Sequence, residues 1–129
     1  MEFCIRSREA LDSDIHACEL ERGGLVCAAT VVGRLAADCA SVAGELALDG
    51  IMGCRPAGEG QAEGLGQGSG FLVLCGRVER VFADGGCDLV VEGETVMLDA
   101  DELPGLSPVA GDRLSLAFKE LTLVLPADD

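Results

Sequence analysis

Tryptophan and tyrosine are absent from the 129 residues, and phenylalanine occurs only four times. Without such rings, the stacking platforms that hold single-stranded nucleic acid are mostly missing. Positive charge is scarce as well. Lys and Arg number 9 against 23 Asp and Glu, a formal net charge of −14. Nucleic acid phosphates are held by clustered Lys and Arg, so a polyanion of this kind excludes nucleic acid as a partner. There is one histidine, His16. His-based acid–base or nucleophilic chemistry is therefore hard to assemble. No apolar run approaches the ~20 residues of a membrane helix, so membrane insertion is not expected. Met1-Glu2-Phe3-Cys4-Ile5-Arg6 has no basic start leading into an apolar run, as a signal peptide would. The expectation is a cytoplasmic protein with reduced thiols.

The seven cysteines contain no CxxC pair, which removes the usual zinc-ribbon and thioredoxin signatures. Their expected role is that of small buried hydrophobes. The alternative is a soft-metal or redox protein using Cys and His16. Its best local support is His16-Ala17-Cys18, because residues two apart share one face of a strand. Structural zinc takes four ligands, so this pair is a fragment of a site at most.

With 49% hydrophobic residues, the chain is too apolar for a disordered acidic tail. It reads as a single domain, 1–129, with an N-terminal half 1–56, a Gly-rich loop 57–70 and a β-barrel half 71–126. In the middle segment Gly58, Gly60, Gly64, Gly66, Gly68 and Gly70 are interspersed with mostly small or polar residues, Leu65 excepted. That composition predicts a flexible loop. A phosphate cradle would follow a strand, open a helix and, in the P-loop, carry Lys-Ser/Thr, and none of that context is present.

Past the loop the pattern is β. Phe71 to Ala83 predicts a strand, and Asp84-Gly85-Gly86 supplies the positive-φ residues of a tight hairpin. Cys87 to Glu92 and Thr95 to Leu98 predict two more, joined through Glu92-Gly93-Glu94. After Pro104 and Pro108, which cannot serve a central ladder, Leu114, Leu116 and Phe118 alternate with polar or small residues. Leu121, Leu123 and Leu125 continue with opposite parity, which demands a bulge or turn at Lys119-Glu120. Five short antiparallel strands at this spacing suggest a small closed or nearly closed barrel.

The N-terminal half predicts strands at Glu2–Arg6 and Asp14–Glu21, then a Gly23-Gly24 turn into Leu25-Val26-Cys27. Beyond it, Val31, Val32, Leu35, Cys39, Val42 and Leu46 fall at helical spacing, and Asp49-Gly50 is a good stop. This predicts one helix within 29–48. The alternative is a hairpin arm over 25–32 with a strand over 45–51. The expected fold class is thus mainly β (α+β), a small barrel with one helix in the N-terminal half.

Gly76-Arg77-Val78-Glu79-Arg80-Val81, Cys87-Asp88-Leu89-Val90-Val91, Gly111-Asp112-Arg113-Leu114-Ser115-Leu116-Ala117-Phe118 and Leu121-Thr122-Leu123-Val124-Leu125 together resemble a TOBE domain. This is the small OB-like barrel found at the C-terminus of many ABC-transporter ATPases and in molybdate-binding proteins. The resemblance covers roughly 71–126. It implies an OB/TOBE-like barrel and, in molybdate-binding members, an oxyanion ligand held partly by a Lys, with Lys119 standing in that place. Lys119 is followed here by Glu120 and Leu121, and Asp99, Asp101 and Glu102 replace the expected hydroxyl pair. Those carboxylates would repel an oxyanion at close range.

The function expected from these readings is a non-catalytic binding or regulatory module. It would mediate protein association or bind a small ligand such as an oxyanion, with Lys119 as the candidate ligand-binding residue. A homo-oligomer or a protein partner is expected, an acidic surface favouring a basic one. The alternatives are the metal or redox protein using His16 and Cys18, and an acidic mimic of nucleic acid. No cofactor is expected. Asp99, Asp101, Glu102, Asp84 and Asp88 are carboxylates in or beside turns, where solvated charge is the ordinary role, so no catalytic residue is assigned.

Overall fold

A computed structural model describes residues 1–126. Ten strands and a single 3-10 turn make up its regular structure: β1 (Glu2–Asp12), β2 (Ile15–Arg22), β3 (Leu25–Val32), β4 (Ser41–Ala43), β5 (Glu45–Pro56), β6 (Gly64–Gln67), β7 (Leu72–Val81), β8 (Cys87–Val91), β9 (Glu94–Leu98), the turn Ala100–Glu102 and β10 (Arg113–Val124). No helix among the described residues is long and apolar enough to cross a membrane. The chain divides into two compact units, Met1–Asp49 with Glu120–Asp129, and Gly50–Lys119.

In the first unit β1, β2 and β3 form an antiparallel meander. β4 pairs with the start of β1, and Leu121–Val124 of β10 runs parallel to Ala29–Val32. Gly23 and Gly24, at φ 56° and 87°, form the two-residue turn between β2 and β3, as a tight hairpin needs. One face of this sheet is packed with Leu20, Val31, Leu121 and Leu123, each at most 1% exposed.

The predicted helix over 29–48 is absent, and the chain is not α+β. Val31 and Val32 end β3, Leu35 and Cys39 lie in the loop between β3 and β4, Val42 sits in β4 and Leu46 in β5. The physical reason is close backbone approach. A Cβ on Gly33, which has φ 129°, would lie 2.7 Å from Leu125 Cβ, and one on Gly44 would lie 2.5 Å from the Val124 carbonyl oxygen. Gly33 N donates to Asp14 O, and Leu125 N to Val32 O, each at 2.8 Å. These distant partners draw the segment into the sheet. Arg8 then satisfies the loop, donating to the carbonyls of Ala36 and Cys39 at 2.6 and 2.5 Å.

In the second unit the N-terminal part of β10 pairs antiparallel with β7, β7 with β8, and β8 with β9. β5 pairs with β10. Gly50 lies against Lys119, and Ala57 N donates to Arg113 O at 2.9 Å, so β5 runs antiparallel to β10. β6 pairs with Leu72–Cys75 of β7. Since β10 holds the other edge of β7 there, β6 and β8 follow each other along one edge. β5 and β9 end this order and are not paired to each other among the described residues, so the strands form an open half-barrel. Two details differ from the sequence expectation. Gly64–Gln67, within the segment expected as loop, is a strand. Residues 113–124, expected as two strands broken at Lys119-Glu120, form one strand whose partner changes there from β7 to β3.

Candidate functional site

Two concavities lie side by side along β5 and β10 in the second unit. The larger, about 470 Å³, is lined by Pro56, Ala57, Gly58 and Glu59 on one side, Leu106, Ser107 and Pro108 on another, and Asp112, Arg113 and Leu114 at its base. The smaller, about 320 Å³, lies between Met52–Arg55 of β5 and Phe71, Val73, Ser115 and Ala117. Volumes of 300–1,000 Å³ are typical of small-molecule sites.

The walls of the larger concavity are fixed by local chemistry. On one side the segment 103–112 is pinned at both ends. Leu103 is buried at 3% exposure and accepts from Leu106 N at 3.1 Å. Gly111 N donates to Val78 O at 2.8 Å, and Val78 N returns a bond to Asp112 O at 2.7 Å. Asp112 Oδ2 accepts from Val109 N at 2.9 Å, which closes the turn and leaves one carboxylate oxygen for other partners. Pro108, with its fixed φ, stiffens this wall.

On the other side Gln61 is the key residue. Its Nε2 donates to Ser115 Oγ at 2.9 Å, and its Oε1 accepts from Gly58 N at 3.1 Å. Its carbonyl accepts from the guanidinium of Arg113, which also reaches Cys75 Sγ at 3.6 Å. The start of the Gly-rich segment is thereby tied to β10. Gln61 is not a candidate from the sequence, since one of two glutamines in a glycine-rich stretch carries no periodic signal that would single it out. Arg113 enters the sequence pattern only as a strand residue within the stretch that resembles a TOBE domain.

The site electrostatics follow from these bonds. The Arg113 guanidinium is turned to the protein's own acceptors. Glu59 and Asp112 add two carboxylates to a lining whose apolar part is Pro56, Ala57, Leu106, Pro108 and Leu114, with Ser107 and the engaged Arg113 beside them. The concavity therefore offers apolar surface with a negative margin.

The sequence candidates lie elsewhere. Lys119 is exposed in β10 beside Gly50 and lines neither concavity. Asp99, Asp101 and Glu102 lie in or next to the 3-10 turn, where Glu102 Oε1 accepts from Asp99 N at 2.9 Å. His16 and Cys18 do share the buried face of β2 in the first unit, at 8% and 6% exposure. Among the described residues, however, no group of three or more His, Cys, Asp or Glu converges to hold a metal ion. All seven cysteines are free, and four are buried. Burial raises the thiol pKa of Cys18, Cys27 and Cys87, and pushes Cys54 up to about 11. Such thiols are poor nucleophiles at neutral pH, because the thiolate is the reactive form.

No protein-family model matches the chain, and no significant match was found among curated proteins or solved structures.

Proposed function

We propose that the protein is a non-catalytic binding module and that the larger concavity beside Arg113 takes a small ligand with an apolar body and a cationic group. The observation that carries this reading is the lining itself. Pro56, Leu106 and Pro108 offer apolar contact, and Glu59 and Asp112 offer acceptors, while the only lining cation is engaged with Gln61 and Cys75. A free oxyanion gains little here, since the carboxylates face it and Lys119 lies outside. A ligand ammonium gains a charge-assisted hydrogen bond.

The test is a titration of isotope-labelled protein with small aryl-alkyl amines, read by amide chemical shifts. Saturable shifts at Ala57–Glu59, Leu106 and Asp112–Leu114 are the expected result. They should be weakened by Leu106→Lys, which removes apolar contact and adds like charge, and absent for the matching carboxylic acids. Preferential binding of the acids, or shifts scattered over the surface, would overturn the reading.

A further inference from the structure

An open sheet edge is a hazard, and proteins blunt it with charge, proline, bulges or shortness. The edges of this protein are treated unequally. Beyond its pairing with three-residue β4, β1 carries Arg6, Arg8, Glu9 and Asp12, and its register is broken by irregularities at Ile5/Ser7 and Ala10/Asp12. β5 is interrupted by Gly50 and Gly53 and ends in Arg55-Pro56. β9 carries only a charged first residue, Glu94, and has no bulge, glycine or proline. It pairs with β8 in unbroken register from Glu94 to Leu98, and Thr95-Val96-Met97-Leu98 holds no charge, glycine or proline. β8 is its only strand partner among the described residues.

In an antiparallel pair, alternate residues turn their N–H and C=O groups away from the partner. The outer edge of β9 therefore presents a short ladder with no strand to receive it. Val96 and Leu98 are buried at 5% and 2%, so the strand is held firmly from the inner face, while Met97 stands 70% exposed on the other. A rigid strand with an open edge and an apolar side chain beside it has the properties of a strand-addition site.

The charge nearby selects the occupant. Asp99, Asp101 and Glu102 follow β9 directly. The hairpin turn that carries Asp84 packs onto the same place, since a Cβ on Gly86 would lie 2.8 Å from Leu98 O and one on Gly85 would lie 3.3 Å from Ala100 Cβ. None of these four carboxylates is in an ion pair among the described residues. A second copy of the chain is a poor occupant. Antiparallel pairing of two β9 strands about Val96 sets Glu94 of each opposite Leu98 of the other and brings the Glu94 end of each chain to the acidic Asp99–Glu102 end of the other, in two chains that each carry a net charge of −14. Like charges gathered at both ends of such a pair repel each other.

We propose that the outer edge of β9 receives an extended segment of another protein, with alternating apolar side chains and Lys or Arg at the end that meets Asp99, Asp101 and Glu102. The backbone ladder supplies affinity, Met97 supplies the apolar contact, and the carboxylates fix the direction. This site is independent of the concavity beside Arg113.

The probe is a short peptide with a lysine pair ahead of alternating valine and threonine, added to isotope-labelled protein and read by amide hydrogen exchange. New protection confined to Glu94–Leu98 is expected. A peptide N-methylated at alternate residues cannot complete the ladder and should give none. A peptide with a glutamate pair in place of the lysines should bind about fivefold more weakly at low salt, as should the lysine peptide to the double variant Asp99→Asn/Asp101→Asn. Met97→Lys, which leaves the buried face of β9 untouched, should weaken the lysine peptide to a similar extent. Absence of protection, protection at the Arg113 concavity instead, or protection at β9 that grows with protein concentration without peptide would each overturn the proposal. The last of these would identify a second copy as the occupant.

Discussion

Gln61 donates from Nε2 to Ser115 Oγ at 2.9 Å, joining residues 54 apart in sequence. Ser115 is only 4% exposed, so its hydroxyl has little recourse to water. The same Gln61 side chain accepts from Gly58 N, and its carbonyl accepts from Arg113. One residue thus fastens a glycine-rich segment to β10 and shapes a wall of the concavity.

Gln61→Leu should therefore loosen the site more than the remainder of the fold. Leaving a buried hydroxyl without its partner costs about 1–3 kcal/mol. Amide exchange should speed up across Ala57–Glu63, with a modest fall in the urea midpoint. Unchanged exchange in this segment would show that Gln61 does not hold it.

Gly76 is required by space. A Cβ there would lie 2.6 Å from Val91 Cγ2, 2.7 Å from Val90 O and 2.8 Å from Leu89 Cγ. Two of these atoms belong to packed core side chains and one to backbone, so none can yield cheaply. Gly76→Ala should destabilise the protein by about 1–3 kcal/mol, the usual cost of overpacking. Gly93→Ala is the instructive contrast. Nothing lies within 4 Å of its Cβ position, but its φ is 83°, so its cost should come from backbone strain of about 1 kcal/mol. Equilibrium unfolding of both variants checks the ranking.

His16 is buried at 8% exposure, and neither Nδ1 nor Nε2 has a hydrogen-bond partner. It faces Ala10 on β1 and Val31 on β3. A buried donor without an acceptor is a standing cost, and a leucine of similar size removes it. His16→Leu should raise stability by about 1 kcal/mol. A loss of stability in thermal or urea unfolding would mean that the imidazole makes a contact that leucine cannot replace.

Much of the second unit was legible because its signals are local. Asp84-Gly85-Gly86 and Glu92-Gly93 sit between period-two runs, and both become hairpin turns, with Glu92 and Gly93 at φ 50° and 83°. The parity change after Phe118 also left a trace. Lys119 and Glu120 are both exposed, at the point where β10 leaves β7 and takes up β3. What such a pattern does not contain is the partner. The alternation requires an irregularity, and only the parallel pairing with Ala29–Val32 explains why the strand continues through it. The stripe from Val31 to Leu46 misled for the same reason. Helical spacing is a local property, whereas Gly33 and Gly44 are determined by Leu125 and Val124, far along the chain. The concavity was the least legible feature, since its walls depend on bonds of Gln61 to Arg113 and Ser115 that no spacing predicts.

The thiols give a pH dependence with a definite sign. Burial, and secondarily the neighbouring Cys87, raises Cys54 from an ordinary 9.0 to about 11. Burial, and secondarily Asp88, raises Cys87 as well. In the unfolded chain these groups lose their protons near the ordinary value, while in the folded protein they keep them to higher pH. Between the two values the unfolded state binds fewer protons, so stability falls as pH rises. The Cys54 contribution is complete below pH 9 and is lost progressively towards about pH 11, and that of Cys87 is lost in the same direction. The urea midpoint should therefore decline through this alkaline window, and Cys54→Ala should flatten the decline. The same burial predicts an order of alkylation, with exposed Cys4 modified first and buried Cys87 only as the protein unfolds. A midpoint that rises across the window, or a Cys54→Ala variant with an undiminished slope, would show that these thiols are not shielded in the native state.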